Sequence, residues 1–155
     1  MEEFSAQCAA LFKDLGEHRN MVLSTSFEDN VTSRMMSIII LNDVFYFQTD
    51  KNSEKYKQLQ KNPRASLCTD NFQIEGACEE LGHPLENSAF CALYEKYYPD
   101  AFKRYTSLAG ESLFSFEPAY IKKWIYECGE PHEEIFDFSH KIHEKKKYIN
   151  EIQKD

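Results

Sequence analysis

Basic side chains are in short supply: 18 Lys and Arg stand against 26 Asp and Glu, a formal net charge of −8 over 155 residues. General nucleic-acid and anionic-membrane binders carry a basic footprint, so the balance argues against both. An anionic ligand must then be held by a local positive pocket. Glycine is also scarce, with five residues and no Gly-rich loop, which counts against a Rossmann or P-loop nucleotide site. The five cysteines, Cys8, Cys68, Cys78, Cys91 and Cys128, form no CxxC pair, and their odd number cannot close completely into intramolecular bridges. Reduced structural thiols are expected. None has an evident activating base nearby in sequence, so thiol catalysis is not expected. The chain has no basic leader at Met1-Glu2-Glu3-Phe4 and no apolar run near the ~18 residues of a membrane span. A cytoplasmic protein with no membrane partner is expected.

Hydrophobic residues make up 42% and charged residues 28%, a composition that folds. A chain of this length buries roughly two thirds of its unfolded surface, enough for one core. Phe4, Cys8, Leu11, Phe12 and Leu15 recur at helical spacing before Gly16 and predict an amphipathic opening helix. Residues 21–27 and 31–41 are β-rich runs separated by Glu28-Asp29-Asn30. Asn42-Asp43 then leads into Val44-Phe45-Tyr46-Phe47, which together predict a three-stranded meander. Residues 50–62 read as a short exposed helix with Ser53 as N-cap and Pro63 beyond its end. Two strands follow, 65–69 and 72–79, the second holding Gly76 as a bulge or close backbone approach. Residues 87–98 read as a helix with a helical piece running on to Tyr105. Closing strands are expected at 112–116 and 120–126, interrupted by Glu117-Pro118. The charged tail is expected to be helical or frayed.

The fold expected is therefore α+β or mainly β: an antiparallel six- to seven-stranded split β-barrel with peripheral helices. One domain spans residues 1–138, with residues 139–155 as the tail. Against the acidic background, Arg34, Thr49, Lys51, Ser53 and Lys55 gather around one strand pair and a helix start. Arginine binds phosphate bidentately, lysine adds a point charge, and a helix N-terminus offers free amides. An equally open reading is that Lys51, Lys55, Lys57 and Lys61 only solubilise an exposed helix. His140, His143 and Glu144 share helical spacing, but histidines in a charged tail are more often solvated, and no metal site is assigned. The 12 Phe and 9 Tyr fall mostly at core positions, and Trp124 alone is kept in view near a ligand.

The runs Met21-Val22-Leu23-Ser24-Thr25, Arg34-Met35-Met36-Ser37, Phe45-Tyr46-Phe47-Gln48-Thr49, Ser53-Glu54-Lys55 and Leu59-Gln60-Lys61-Asn62-Pro63-Arg64-Ala65-Ser66-Leu67 occur in this order. With Ile74-Glu75-Gly76-Ala77 and the segment from Phe116-Glu117-Pro118 to Trp124, they resemble the pyridoxamine 5'-phosphate oxidase-like FMN-binding split-barrel superfamily. The resemblance implies a homodimer with FMN at the subunit interface. It places Arg34 and Lys55 on the FMN phosphate, with Ser53 and Thr49 as hydroxyl donors. Met35, Met36 and Ser37 would run along the isoalloxazine ring, Gln48 would flank the ring or ribityl chain, Lys51 is a further contact, and residues around Asn71 would approach from the partner.

Two departures matter. Glu54 stands where the strongest phosphate sites of the family carry a basic residue, and the C-terminal segment lacks the Arg and His pattern of true pyridoxamine phosphate oxidases. The length and ending look more like the small stress-protein and nitroimidazole-resistance relatives. The resemblance thus implies an FMN-dependent oxidoreductase passing electrons from a reduced nicotinamide to a small-molecule acceptor. No side chain is assigned as catalytic. The alternatives are a non-enzymatic protein that binds or senses flavin, haem or a deazaflavin, and a barrel without ligand that serves as an interaction module.

Overall fold

The structure, a computed structural model, describes residues 2–150, with the side chain of Glu2 left out. Helix α1 (Glu2–Leu15) precedes β1 (His18–Phe27), β2 (Asn30–Leu41) and β3 (Val44–Asp50). Helix α2 (Glu54–Lys61) leads to β4 (Arg64–Thr69) and β5 (Phe72–Gly82). After a short 3-10 turn comes α3 (Ser88–Tyr97), and a helical stretch ending in a π-helical turn (Phe102–Thr106) connects to β6 (Glu111–Glu127), β7 (Glu130–Asp137) and β8 (Ile142–Lys147).

The order β3-β2-β1-β4-β5-β6 is antiparallel throughout, and pairing of β3 with β6 closes it into a six-stranded barrel. Strands β7 and β8 extend from β6 outside that ring. The expected antiparallel split barrel with peripheral helices is present. The meander turns are the predicted ones: Glu28, Asp29, Asn42 and Asp43 all take positive φ, the pair conformation that two-residue hairpins require. Inward-facing residues of alternating strands fill the barrel. Phe47 stacks on Phe114 with ring centroids 5.3 Å apart, and Phe45 meets Phe116 edge-on at 5.8 Å. Leu59 from α2 packs into the same core and closes one end of the barrel.

Two expectations are corrected. Glu117-Pro118 does not divide two strands, because β6 runs through it as a single strand of 17 residues. The register instead slips, Gly76 facing Pro118 and Glu75 facing Tyr120, so that Ala119 is the extra residue of a bulge. Proline has no N–H for the ladder and is accommodated where pairing is already irregular. The carbonyl of Ala119 is not lost, since it accepts the Phe138 N–H at 3.0 Å. Gly76 is the close approach its position in the strand suggested: a Cβ there would lie 2.3 Å from the Glu117 carbonyl oxygen. The second correction concerns the tail, which is neither helical nor frayed over Ile142–Lys147 but pairs antiparallel with β7. His140 and His143 accordingly do not share a helix face. His140 contacts Asp137 at 2.8 Å and His143 contacts Glu134 at 2.7 Å. Residues 151–155 of the tail lie outside the described residues. No helix among the described residues is long and apolar enough to cross a membrane.

Candidate functional site

Alternation along β2 decides which predicted residues can meet. Thr32, Arg34 and Met36 face inward, whereas Val31, Ser33, Met35 and Ser37 face the other way. Arg34 therefore reaches the mouth of the barrel beneath α2. One terminal nitrogen donates to the Leu23 carbonyl at 3.2 Å and to Thr25 Oγ1 at 2.9 Å, and the other donates to Thr32 Oγ1. Guanidinium has five N–H donors, so these three bonds leave two for a ligand.

The hydroxyls beneath Arg34 are themselves held. Thr25 and Thr32 both donate to Gln58 Oε1, the latter at 2.7 Å, and Gln58 Nε2 donates to the Asn30 carbonyl at 3.1 Å. Gln58 is only 3% exposed. Sequence reasoning missed this support of Thr25, Thr32 and Gln58. Its one visible signal is the placement of Thr32 two residues before Arg34, which puts both on one face of a strand.

Lys55 extends from the first turn of α2. Burial, then the positive charge of Arg34, lowers its pKa, while Glu111 and Asp50 act in the opposite sense. Two cations close enough to disfavour each other make a place for an anion. Arg34 is likewise shifted down by burial, partly offset by Glu54. Ser53 caps α2, accepting the Tyr56 N–H at 3.3 Å and sharing a 3.0 Å hydrogen bond with Thr49 Oγ1. As the first two helical residues, Glu54 and Lys55 present N–H groups that have no intrahelical acceptor. Arg34, Thr49, Ser53 and Lys55 thus form a set of donors suited to a phosphate at a helix N-terminus.

The other predicted residues go elsewhere. Met35 is 64% exposed on the outer face of β2, with Val31 beside it at 65%. Met36 packs against the barrel core. Ser37 faces α3, where its hydroxyl meets Tyr94. Gln48 is buried on that same outer side and accepts from Thr106 Oγ1 at 2.9 Å. Lys51 is exposed, and its charge acts on Glu80. Asn71, at the β4–β5 turn, donates from its side chain to the Trp124 carbonyl at 2.8 Å. Trp124 itself meets Tyr148 and Tyr126 edge-on outside the barrel ring.

A closed antiparallel barrel with helices at its periphery defines a split-barrel protein. The family model described as pyridoxamine 5'-phosphate oxidase matches residues 5–125, and the chain belongs to that family. A pyridoxamine 5'-phosphate oxidase-related, FMN-binding protein of Nostoc punctiforme shares the fold, at 16% identity over 94% of each chain and a TM-score of 0.62. A NimC/NimA family protein of Clostridium acetobutylicum matches at 14% identity, 92% of this chain, 94% of its own and a TM-score of 0.56. The haem storage protein of Vibrio cholerae matches at 12% identity, covering 66% of this chain and 82% of its own, with a TM-score of 0.56. No curated protein matches the chain.

Proposed function

We propose that this protein binds FMN between two copies of itself and serves as an oxidoreductase, drawing electrons from a reduced nicotinamide for a small acceptor. The observation that carries the reading is the convergence of Arg34 and Lys55 at the N-terminus of α2, with Ser53 and Thr49 between the loop and the helix. Those residues fit a dianionic phosphate in charge, donor number and partial burial. FMN would supply the redox chemistry, and the protein's part is to bind, orient and shield it. Arg34 and Lys55 would hold the phosphate, the Ser53 and Thr49 hydroxyls and the first amides of α2 would complete its hydrogen bonds, and Gln58 would keep Arg34 aimed through Thr25 and Thr32.

Dimerisation is supported by the outer face of β2. Val31 and Met35 lie exposed beside the site, while α3 covers Ile39 further along the same side. A second copy laid on this strip would bury both side chains and wall off the open side of the anion site. Membership of a family with an FMN-binding relative supports the cofactor. A second reading, binding or storage without turnover, is favoured by the carboxylates of Glu54, Asp50 and Glu111 around the cation pair, which oppose a tightly held phosphate.

The test is the visible spectrum after FMN is added and the protein desalted. Flavin retained near one equivalent per subunit, and lost in Arg34→Ala and in Lys55→Ala, is the expected result. Each variant removes a charge-assisted contact of about 1.5–3 kcal/mol, equivalent to roughly ten- to a hundredfold in affinity. Unchanged FMN affinity in both variants overturns the site. Retained flavin that neither NADH nor NADPH reduces selects the storage reading.

A further inference from the structure

A second concavity lies where α1, the β2–β3 turn, the β6 bulge and the turn before β8 meet. It has a volume of about 390 Å³ and shares no residue with the anion site. That size is within the range of small-molecule sites, roughly 300–1,000 Å³. Its apolar lining includes Phe4, Val44, Pro118 and Phe138, with Phe4 and Phe138 edge-on at 5.9 Å between centroids. Its polar side chains include Asp43, Glu117 and Lys141.

We propose that this concavity is a binding site for a small primary amine with an aromatic body, the ring seated against the Phe4 and Phe138 pair and the ammonium held by Asp43 and Glu117. Three observations carry it. The side chains of Asp43, Glu117 and Lys141 make no hydrogen bond or ion pair with other described residues, so two exposed carboxylates line the cavity beside one lysine. Among the described lining residues Lys141 leaves a net charge of −1, which one ammonium group neutralises. The carboxylates also stand on fixed backbone. Asp43 is the second residue of a two-residue turn at φ 64°, and Glu117 is held between Pro118 and the close approach of Gly76. The field of Asp43 reaches the cavity wall, because burial and then this carboxylate hold the Cys8 thiol above its ordinary pKa.

Chemistry decides between ligand classes. An amine gains from both the apolar side chains and the carboxylates, whereas an acid of the same shape must bring a third negative charge to them. The probe is therefore tryptamine, titrated calorimetrically into the full-length protein with and without FMN, with indole-3-acetate as the anion of matched body. Saturable tryptamine binding is expected, with indole-3-acetate at least about tenfold weaker. Asp43→Asn and Glu117→Gln should each weaken tryptamine by about threefold, the effect of one partly exposed ion pair. Asparagine tolerates the left-handed turn conformation, so Asp43→Asn keeps the hairpin. Location is read separately by alkylation of Cys8 with iodoacetamide, followed by peptide mass analysis, which tryptamine should slow. Equal affinity for amine and acid, or indifference to both substitutions, overturns the proposal. So does an absence of saturable binding up to about 10 mM, beyond the millimolar range of weak ligands.

Discussion

Replacing Gln58 by leucine tests whether the support beneath Arg34 is structural scaffolding for the anion site. The side chain is 3% exposed and makes three hydrogen bonds, two accepted from Thr25 and Thr32 and one donated to the Asn30 carbonyl. Leucine is close in volume, so the change removes polar contacts more than packing. Three bonds at about 1 kcal/mol each amount to roughly 3 kcal/mol. Burial of the leucine methyl groups returns about 1.5 kcal/mol, leaving a net loss of roughly 1.5 kcal/mol. At about 2–4 °C per kcal/mol for a chain of this size, Tm falls by roughly 3–6 °C. The decisive assay is a double-mutant cycle in urea with Arg34→Met. Once Arg34 is gone its demand on the Thr25 and Thr32 hydroxyls disappears, so the two losses should be less than additive by at least about 0.5 kcal/mol. FMN affinity should fall severalfold in Gln58→Leu, although this residue lies under Arg34 rather than on the phosphate. A loss of stability below about 0.5 kcal/mol, or strict additivity with Arg34→Met, would refute the coupling.

Gly76→Ala should destabilise by about 3 kcal/mol, the upper end for overpacking, because the new methyl meets a backbone oxygen that cannot swing away; urea unfolding checks it, and a near-neutral result denies the close approach. Burial pushes the Glu80 carboxyl up, but hydrogen bonds from Ser112, Tyr56 and Gln60 and the charge of Lys51 outweigh it and hold the group below its ordinary 4.5. A depressed carboxyl contributes stability above its unfolded pKa and loses it as pH falls through the folded value, so stability should decline below about pH 4.5 with a slope that Glu80→Gln reduces. Glu54→Gln should strengthen FMN binding about threefold at low ionic strength, an advantage that fades as salt screens the exposed charge. Equal affinities of the two proteins in dilute buffer would remove Glu54 from the account of the site.

Local chemistry made much of the fold legible. The left-handed pairs Glu28-Asp29 and Asn42-Asp43 set hairpins because few short sequences tolerate that backbone, and Ser53 capped its helix for the same local reason. Arg34 and Lys55 stood out because cations clustered in an acidic chain need a cause. Their convergence, however, belongs to the tertiary structure: the residues are 21 apart in sequence, and closure of the barrel under α2 brings them within reach. The same holds for Gln58, whose role depends on which face of α2 lies over Thr25 and Thr32.

Met35, Ser37 and Gln48 illustrate the limit from the other side. The resemblance placed them along the flavin, and because a strand sends neighbours to opposite faces, these three lie on the outer surface of the sheet, away from the side that Arg34 and Thr49 face. The tail and the Pro118 bulge were misread because composition reports charge and a missing N–H, not a pairing partner. Strand β8 exists because β7 offers an edge, and Pro118 persists in β6 because the slip against Gly76 removes the need for its N–H. Sequence by itself therefore determined the turns, the alternation and which cations stand out as candidates for a site. Tertiary structure alone decided which face each residue occupies, since long-range pairing selects register and no local preference encodes it.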